Sequence, residues 1–600
     1  MRMFVADFET TTTEDATHVW AWAVCEVGNP ENIEIGNTID TFMEWCRTQP
    51  DNPKVFFHNL KFDSQFLIYW ALTNGFEHVE NDGRKSKSFT TLISNKGLYY
   101  AMEVIFYLNG KNVKKVTFQD SLKLIPLSVD AIAKSFKLPI QKLKIDYKAH
   151  DDLPEGSPLT PEEEEYIKHD VQIVAHAIEY FHSQGLNKMT IGSCALDEYK
   201  KLIQKRNFRN WFPEPKFHED VKQSYRGGFT YLNPKFESKI IGPGLVLDVN
   251  SLYPSVMYDS YLPFGTPIFF WGKYEKDTLY PLYTQMFKCQ FEIKKGKIPT
   301  IQIKKSLFFR GNEYLTSSNN EIVPLCLNSV DLEMFFEHYD VYNLEYISGW
   351  KFKATRGLFT DYIDKWSQNK INAKKDGNHG LYLISKLFLN SLYGKFGTDT
   401  KVISKQPYLG EDGVVHYYDT KPTEKKGVYV AMASFITSYA RRKTILAAQK
   451  VTDDYNQKKS KAQFVYADTD SLHIYLNGEK TEDFIKNCGL DIDPTILGYW
   501  DWEASFKRGK FLRQKCYIED HIIDEETYNK GIQGEEAFRY TNDENGFYEL
   551  KVTVAGMPRA CHHEVTFNNF KIGAEYSGKL QPKVVKGGTV LKEVDFTIKK

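Results

Sequence analysis

Acidic side chains near the N-terminus form a first set that could bind metal ions. Asp7 and Glu9 lie in an apolar stretch that predicts a strand over residues 3–9. Their spacing places both carboxylates on one face, about 7 Å apart along the chain. Asp63 ends a second apolar stretch, FFHNLKFD. Two acids side by side at a strand end repel each other unless a cation joins them.

A predicted helix adds the remaining members of this set. The sequence TPEE at 160–163 is a capping box with proline at the first helical position, so a helix begins there. Tyr166 and Asp170 then share one helix face. Carboxylates without cysteine suit Mg²⁺ or Mn²⁺, and two such ions about 3.5–4 Å apart can activate water and stabilise a leaving phosphate oxygen. For each acid alone, a solvated surface residue is the alternative.

A second set of acids lies far along the chain. The apolar strand GLVLDV (244–249) carries Asp248 near its end, and a charge that ends a buried strand needs a partner. Residues 463–476 (QFVYADTDSLHIYL) are typical of a hairpin with Asp468 and Asp470 at its tip. An ordinary turn is the alternative, because Asp is a favoured turn residue.

A helical pattern over residues 386–395 separates these acids in the chain. Lys386, Asn390 and Tyr393 lie on one of its faces. A cation, an amide and an aromatic ring there could contact the phosphates, sugar and base of one nucleotide. An ordinary surface helix is the alternative.

Charge is sorted along the chain. Residues 506–517 (FKRGKFLRQKCY) hold five basic residues and no acid, interleaved with Phe506, Phe511 and Tyr517, whereas residues 151–170 hold eight acids against one lysine. Basic groups for phosphates and aromatic faces for bases are what a nucleic-acid track needs. A solvated basic loop explains the same pattern, and both interpretations stay open here.

The elements that must position these groups belong to a long chain. Six hundred residues at about 150 per domain suggest roughly four domains, and short apolar strands alternate with helical patterns, which predicts an α/β (mixed α+β) protein. The formal charge of −1 shows that the chain as a whole lacks the excess of positive charge that is typical of nucleic-acid-binding domains. Eight singly spaced cysteines indicate neither a zinc site nor a disulfide framework. No apolar stretch of about 18 residues could span a bilayer, and an acid follows the N-terminus too soon for a signal peptide, so we expect a cytosolic chain.

Eight ordered segments resemble motifs of the family B DNA polymerases, and specifically the protein-primed polymerases of small bacteriophages, the phi29-like group. They are DFET (7–10), HNLKFD (58–63), YIKHD (166–170), YRGG (225–228), DVNSLYP (248–254), KLFLNSLYGKF (386–396), YADTDS (466–471) and KCY (515–517). The resemblance extends over essentially the whole chain. It implies a DNA-dependent DNA polymerase with a 3′–5′ proofreading exonuclease, which replicates a viral genome processively and with strand displacement.

The resemblance also implies a domain order. A ribonuclease-H-like exonuclease domain precedes a right-hand polymerase domain with two insertions, which in this group contact the terminal protein and wrap the template. The expected bounds are 1–190 for the exonuclease, 191–259 and 428–555 for the palm, 260–357 for the first insertion, 358–398 for the fingers, 399–427 for the second insertion and 556–600 for the thumb.

In the exonuclease site, the resemblance implies that Asp7, Glu9, Asp63 and Asp170 bind the metal ions. Tyr166 would orient the attacking water, and Lys142 or Lys144 would neutralise phosphate charge. The residues implied to contact the primer end or nearby DNA are Thr10, His58, Asn59, Phe62, Ser121, Leu122 and Lys142.

In the synthetic site, the resemblance implies Asp248 and Asp470 as the principal metal ligands, with Val249 beside them and Asp468 in support. The implied nucleotide-binding residues are Ser251, Leu252, Tyr253, Lys370, Lys386, Asn390 and Tyr393, of which Tyr253 excludes a 2′-hydroxyl. The implied DNA-binding residues are Tyr225, Gly227, Gly228, Lys515 and Tyr517. The sequence departs from the family pattern at two places. Tyr382 stands where the family has a basic residue, and Lys370, Lys374 or Lys375 would take over the role of that residue. Thr553 and Val554 stand where a lysine is expected.

The implied cofactor is Mg²⁺, two ions per active site, with Mn²⁺ as a substitute. The implied partners are template-primer DNA, dNTPs and a phage terminal protein that serves as primer, with no membrane and a monomeric enzyme in the host bacterial cytoplasm. Two alternatives stay open. One is an oligonucleotide-primed family B polymerase, and the other is a catalytically silent nucleic-acid-binding protein on the same scaffold.

Overall fold

The first part of the chain forms an eight-stranded mixed sheet, the N-terminal sheet. The computed structural model describes residues 2–213, 217–303 and 306–600. The sheet order is β3-β2-β1-β4-β8-β7-β6-β5, with β1, β4 and β8 parallel at its centre. The elements are β1 (Met3–Thr10), β2 (Val19–Glu26), β3 (Asn29–Gly36), α1 (Ile39–Thr48), β4 (Lys54–Phe57), α2 (Leu60–Thr73), β5 (Glu77–His78), β6 (Ser88–Ile93), β7 (Tyr99–Asn109), β8 (Asn112–Asp120), α3 (Val129–Phe136) and α4 (Pro161–Ser183).

Alternation along β1 divides this sheet into two faces. Phe4 and Phe8 belong to the core beneath α1 and α2, whereas Val5 belongs to the core that α4 covers. Asp7 and Glu9 share the parity of Val5, so they face α4. The strand expected over residues 3–9 and the capping box at the start of α4 are both confirmed.

The middle of the chain adds short helices and a separate four-stranded sheet, ordered β12-β15-β13-β14. Helices α10 and α11 then pair as a helical hairpin. The elements are α5 (Ile191–Leu202), α6 (Lys205–Trp211), α7 (His218–Lys222), β9 (Thr230–Leu232), β10 (Ile240–Ile241), β11 (Gly244–Val249), α8 (Leu252–Asp259), β12 (Leu262–Trp271), β13 (Leu282–Ile293), β14 (Val323–Asn328), α9 (Ser329–His338), β15 (Tyr339–Thr355), α10 (Thr360–Lys375) and α11 (His379–Phe396).

The last third of the chain completes a nine-stranded central sheet, ordered β24-β25-β23-β22-β11-β21-β20-β9, with β10 beside β22. Two small ribbons, β16 with β19 and β17 with β18, precede it. The elements are β16 (Lys401–Val402), β17 (Lys405–Leu409), β18 (Val415–Asp419), β19 (Thr423–Glu424), α12 (Val430–Asn456), β20 (Gln463–Asp468), β21 (Ser471–Tyr475), α13 (Thr481–Asn487), β22 (Trp500–Arg513), β23 (Cys516–Ile523), α14 (Glu525–Gly531), β24 (Tyr540–Asp543), β25 (Gly546–Val554), β26 (Glu575–Val585) and β27 (Gly588–Thr597).

The basic block at 506–517 is not a loop. It forms most of β22 and the start of β23. Phe506 and Phe511 are fully buried, so they offer no faces to bases. The interpretation of this block as an aromatic nucleic-acid track is therefore wrong for these two rings. They are five residues apart, and the register shift between Phe506 and Arg508 interrupts the strand alternation between them, so both can lie in the protein interior.

Two distant segments pack against the N-terminal sheet. In the β26–β27 hairpin, the backbone carbonyl of Lys586 accepts a hydrogen bond from the amide of Thr17 at 2.9 Å, and a Cβ on Gly588 would lie 2.5 Å from the ring of Phe66. From the β17–β18 ribbon, the hydroxyl of Tyr417 donates to Gln65 on α2 at 2.8 Å. The fold therefore ties late segments of the chain back to its first sheet. Within the described ranges, no helix is both long and apolar enough to cross a membrane.

Candidate active sites

The first acidic set meets between β1 and α4. Oxygen atoms of Asp7, Glu9 and Asp170 all lie within 4.8 Å of one another. Strand alternation supplies the first two carboxylates, and the helix face that begins at the capping box supplies the third. Among the described residues, this is the one group of three acidic, histidine or cysteine side chains whose ligand atoms all lie this close together.

The electrostatics of this cluster favour a cation. Burial raises the pKa of Asp7 to about 7, and the charge of Asp170 adds to the effect. The pKa values of Glu9, Asp63 and Asp170 are also raised, in each case mainly by burial. Oδ1 of Asp170 is buried without a hydrogen-bond partner among the described atoms. A hard divalent ion would pair with these oxygens, so the residues present fit Mg²⁺ or Mn²⁺.

Asp63 lies at the margin of this cluster. It is 3% exposed in the first turn of α2 and is absent from the compact group of three. The charge of Asp7 nevertheless contributes to its raised pKa. Asp63 is therefore close enough to interact with the cluster without sharing its centre.

The structure separates the two candidate lysines. The ammonium of Lys142 contacts the carboxylate of Asp170 and lies 3.3 Å from the hydroxyl of Tyr166. Lys144 is instead 91% exposed and pairs with Glu535 at 2.9 Å. Only Lys142, of these two, lies in the acidic cluster. Tyr147, which the sequence did not single out, also reaches the Tyr166 hydroxyl, at 3.3 Å.

Asp120 organises the loops that are expected to hold the primer end. It is fully buried at the end of β8, and its Oδ1 accepts hydrogen bonds from the amides of Asn59 at 3.1 Å and Leu122 at 2.9 Å. Asn59 adopts a left-handed conformation, with φ of 80°, at the start of α2. Asp120 was not predicted, although FQD at 118–120 repeats the signal of an apolar strand ending in an acid.

His58, Phe62 and Thr10, which are also expected at this primer end, are each half-buried. Both ring nitrogens of His58 have protein partners, Ser121 Oγ at 2.9 Å and the carbonyl of Leu127 at 2.6 Å. His58, the residue after β4, therefore fastens the end of this strand to the loop between β8 and α3. Phe62 is half-buried against Phe66, and Thr10, also half-buried, ends β1.

The second acidic set meets on the central sheet. Strands β20 and β21 form the expected hairpin, and β11 lies beside β21 with Asp248 opposite Ser471. The amide of Val249 donates to the carbonyl of Asp470 at 2.8 Å, which fixes the hairpin tip against the end of β11. Sheet pairing thus brings together acids that are more than 200 residues apart in sequence.

Two acids on β22 add negative charge to this site. Burial, followed by the charges of Asp470, Glu503 and Asp501, raises the pKa of Asp248 to about 8. The pKa of Asp470 is raised as well, mainly by burial. Asp501 lies opposite Asp248 in the sheet register. Neither Asp501 nor Glu503 was predicted, because only the pairing of β22 with β11 places them here. These carboxylates again fit a hard divalent cation.

Asp468 is already paired with a cation of the protein. Its Oδ1 lies 2.8 Å from the ammonium of Lys515, and its Oδ2 accepts a hydrogen bond from the hydroxyl of Tyr466 at 3.3 Å. Tyr517 is half-buried, with its ring 5.1 Å from that of Tyr466. Thr553, at the position where a lysine was expected, is the register partner of Tyr517 on β25.

The residues expected to bind a nucleotide lie on α8, α10 and α11. The rings of Tyr253 and Tyr393 stack with centroids 4.2 Å apart, which joins α8 to α11. Ser251 adopts a left-handed conformation, with φ of 52°, immediately before α8, and Leu252 is buried. Lys386 and Asn390 are exposed on α11, whereas Lys370 is half-buried on α10. The helix expected over residues 386–395 is confirmed within α11.

The YRGG segment lies directly behind the hairpin tip. A Cβ on Gly228 would lie 2.7 Å from the side chain of Thr469, so only glycine allows this approach. Arg441 on α12 is 2% exposed and donates to the carbonyl of Gly227 at 2.6 Å, and its guanidinium also pairs with Asp331 on α9. Arg441 was not predicted, since no local pattern distinguishes it within α12.

Two separate sets of carboxylates with raised pKa values, one between β1 and α4 and one on the central sheet, are typical of enzymes that use divalent metal ions at two sites. The family model described as DNA polymerase type B, organellar and viral, matches residues 45–157 and 154–487. The chain belongs to this family of DNA polymerases, with an exonuclease domain and a polymerase domain that carries insertions.

Relatives and solved structures agree with this assignment. The DNA polymerases of Bacillus phage Nf and Bacillus phage phi29 are each 44% identical to the chain, covering 100% of it and 100% and 99% of their own lengths. The DNA polymerase of Streptococcus phage Cp-1 is 32% identical over 99% of the chain and 98% of its own length. The structure of phi29 DNA polymerase complexed with primer-template DNA and incoming nucleotide is 43% identical, with a TM-score of 0.89 and full coverage of both chains.

Proposed function

We propose that the central-sheet acids perform DNA synthesis and that the N-terminal acids perform 3′–5′ proofreading. The observation that carries this proposal is the pair of carboxylate sets with raised pKa values, each beside side chains suited to one of the two reactions. The chain would then act on template-primer DNA and dNTPs, as the bound molecules of the phi29 complex suggest by similarity. The domain bounds given above, from 1–190 to 556–600, are part of the same proposal.

In the synthetic site, Asp248 and Asp470 would hold two Mg²⁺ ions, with the backbone at Val249 beside them. When bound, such ions lower the pKa of the primer hydroxyl and stabilise the leaving pyrophosphate. The stacked pair of Tyr253 and Tyr393 offers a flat surface beneath the nucleotide sugar. Lys386, exposed on α11, would pair with the triphosphate, and Ser251, Leu252, Lys370 and Asn390 would complete the nucleotide site.

Lys515 has a separate part in this proposal. Its ammonium pairs with Asp468, so this acid supports the site through a protein cation. Tyr517 follows two residues later, and the two would contact the primer strand. Tyr225, Gly227 and Gly228 would contact the DNA from the opposite side of the hairpin tip.

In the proofreading site, Asp7, Glu9, Asp63 and Asp170 would hold the ions, Mg²⁺ or Mn²⁺. Tyr166 would orient the attacking water, because its hydroxyl lies beside Lys142 and within the charge field of the acids. Lys142 would neutralise the negative charge that develops on the scissile phosphate. Asn59, Phe62, Thr10 and the Ser121-Leu122 loop would hold the unpaired primer end, with His58 fastening that loop.

The experiment that tests these assignments uses one variant for each site. Asp470→Ala should lower primer extension with Mg²⁺ by about 10³-fold or more, since several kcal/mol of metal-dependent stabilisation is lost. Asp7→Ala with Glu9→Ala should abolish degradation of a labelled single strand. Each variant serves as the folding control of the other, because each should retain the activity that the other loses. Full extension by Asp470→Ala, or undiminished degradation by the double variant, would show that the corresponding site is misassigned.

We further propose that the chain initiates on a terminal protein and displaces the non-template strand in the host bacterial cytoplasm. Position in the chain and similarity over full length support these roles for segments 260–357 and 399–427. The alternative is that the enzyme initiates synthesis from an ordinary oligonucleotide primer. A silent DNA-binding role is disfavoured by the complete carboxylate sets.

A further inference from the structure

A buried carboxylate behind the synthetic site has no part in the proposed chemistry. Glu519 on β23 is 1% exposed. One of its oxygens accepts a hydrogen bond from Nδ1 of His473 at 2.7 Å, and the other accepts from Nε2 of His521 at 2.9 Å. Burial alone would raise the pKa of Glu519, but the attraction and hydrogen bond of His473, with those of His521, hold it at about 2. Glu519 is therefore an ionised group in the protein interior, which only close partners make tolerable.

The contact between Glu519 and His473 spans strands that are not neighbours. His473 lies on β21, whereas β22 and β11 separate β21 from β23 in the sheet order. The contact therefore crosses the concave side of a curled sheet. The imidazole of His473 packs against three rings, with centroids 5.3 Å from Tyr466, 5.5 Å from Phe511 and 4.9 Å from Tyr517.

A second contact joins β20, the other strand of the hairpin, to Lys515, the residue before β23, and it lies closer to the metal-binding acids. The backbone amide of Lys515 donates to the hydroxyl of Tyr466 at 2.8 Å, and the Lys515 ammonium pairs with Asp468 at 2.8 Å. Nε2 of His473 lies 3.4 Å from Oγ of Ser471, the residue after Asp470. The hairpin β20–β21 is thus held to β23 at its tip and again at His473.

We propose that Glu519 is a positioning residue of the synthetic site. It fixes β23, with Lys515 and Tyr517, at a set distance from the hairpin that carries Asp468 and Asp470. This inference rests on the proposed roles of those four residues. The buried pair works as a spacer because both partners are charged or polar, enclosed by rings and unable to reach water. Loss of the charge would weaken the tie at His473, so the positions of Lys515 and Tyr517 next to the metal-binding acids would depend more on the tip contact.

The test compares two variants in which a glutamate of the central sheet is replaced by glutamine. Glu519→Gln removes the charge with almost no change in size. Glu549→Gln does the same on β25, where Glu549 is 9% exposed and pairs with Arg539 and Lys551. We expect Glu519→Gln to raise the dissociation constant for template-primer DNA about tenfold and to increase primer degradation relative to extension. We expect Glu549→Gln to change the unfolding temperature without changing that constant by more than twofold.

Two further variants separate positioning from simple stabilisation. Glu519→Asp keeps the charge, so its affinity for template-primer should fall between those of the wild type and Glu519→Gln. His473→Gln should weaken binding to a similar extent, and the double variant with Glu519→Gln should be no weaker than either single one. All variants should degrade a single strand at the wild-type rate, which shows that the chain is folded.

The outcomes distinguish this inference from the function on which it rests. If wild type extends primers, Asp470→Ala does not, and Glu519→Gln binds template-primer as Glu549→Gln does, the positioning role alone is refuted. If Asp470→Ala extends normally, the synthetic site itself is misassigned. Should Glu519→Gln lose single-strand degradation through misfolding, His473→Gln and Glu519→Asp decide, and wild-type affinity in both would overturn the proposal.

Discussion

At the scale of residues, close approach of backbone and side chain shapes the synthetic site as much as charge does. Gly228 and Thr469 illustrate this, since they belong to segments more than 200 residues apart and approach so closely that a methyl group would not fit. The amide of Thr469 also donates to the carbonyl of Phe229 at 2.7 Å. The glycine therefore lets the YRGG segment touch the hairpin tip between the two acids.

Gly228→Ala should consequently push the hairpin tip away from its place. We expect a loss of primer extension of about tenfold to a hundredfold, corresponding to roughly 1–3 kcal/mol of overpacking that the site must absorb. Steady-state primer extension measures the loss, and degradation of a single strand should be unchanged.

Gly227→Ala provides the comparison for this prediction. A Cβ at Gly227 would meet no described atom within 4 Å. Gly227→Ala should therefore lose less primer-extension activity than Gly228→Ala. Equal losses for both variants would mean that the close contact with Thr469 does not explain the need for glycine at position 228.

At the same scale, the sequence predicts some site residues and misses others for a physical reason. Asp248 and Asp470 end or join apolar strands, and such local signals are visible in one dimension. Glu503 and Arg441 carry no such signal, because their roles arise from the pairing of β22 with β11 and from the packing of α12. A charged residue in the middle of a strand or helix is usually solvated, so only the tertiary structure identifies the exceptions.

At the scale of elements, the strands and helices that carry the motifs were predictable, whereas the block at 506–517 was not. Its alternating rings and basic residues match both a loop and a strand with one buried face. The structure shows the strand, since Phe506 and Phe511 point inwards while Lys507 is exposed and pairs with Asp543. Partner strands decide such cases, and they come from elsewhere in the chain.

The β17–β18 ribbon is the element to which we assign strand displacement. It reaches α2 through the hydrogen bond of Tyr417 to Gln65, and Val415 is buried in the same core as α2. Replacement of residues 401–424 by a short glycine-serine linker should therefore shorten the products made on a nicked circle, because nothing would then hold the downstream strands apart at this point.

Extension of a primer on a single-stranded template is the control for that deletion. The variant that lacks the ribbon should still extend a primer on a single-stranded template, since the residues of the synthetic site lie outside the ribbon. Products of unchanged length on the nicked circle would refute the role of segment 399–427.

At the scale of the whole molecule, initiation is the property that most clearly separates the proposed enzyme from its alternative. If segment 260–357 receives a protein primer, the enzyme should couple a first nucleotide to a hydroxyl of a terminal protein encoded beside it. Incubation with labelled dATP, Mg²⁺ and that protein, followed by denaturing electrophoresis, measures the adduct.

Two comparisons make the initiation assay decisive. The Asp470→Ala variant should form no adduct, which links the label to the synthetic site. Absence of any adduct with wild type and every neighbouring candidate protein, alongside normal extension of oligonucleotides, would favour the oligonucleotide-primed alternative.

The contact between Phe66 and Gly588 has a consequence for biosynthesis. These residues are 522 positions apart. At roughly 5–20 residues per second, a ribosome needs about 25–100 s to add that length of chain. During this interval the N-terminal sheet can fold while the patch around Phe66 stays uncovered. The early surface is therefore open to chaperones and to wrong partners until the β26–β27 hairpin emerges and covers it.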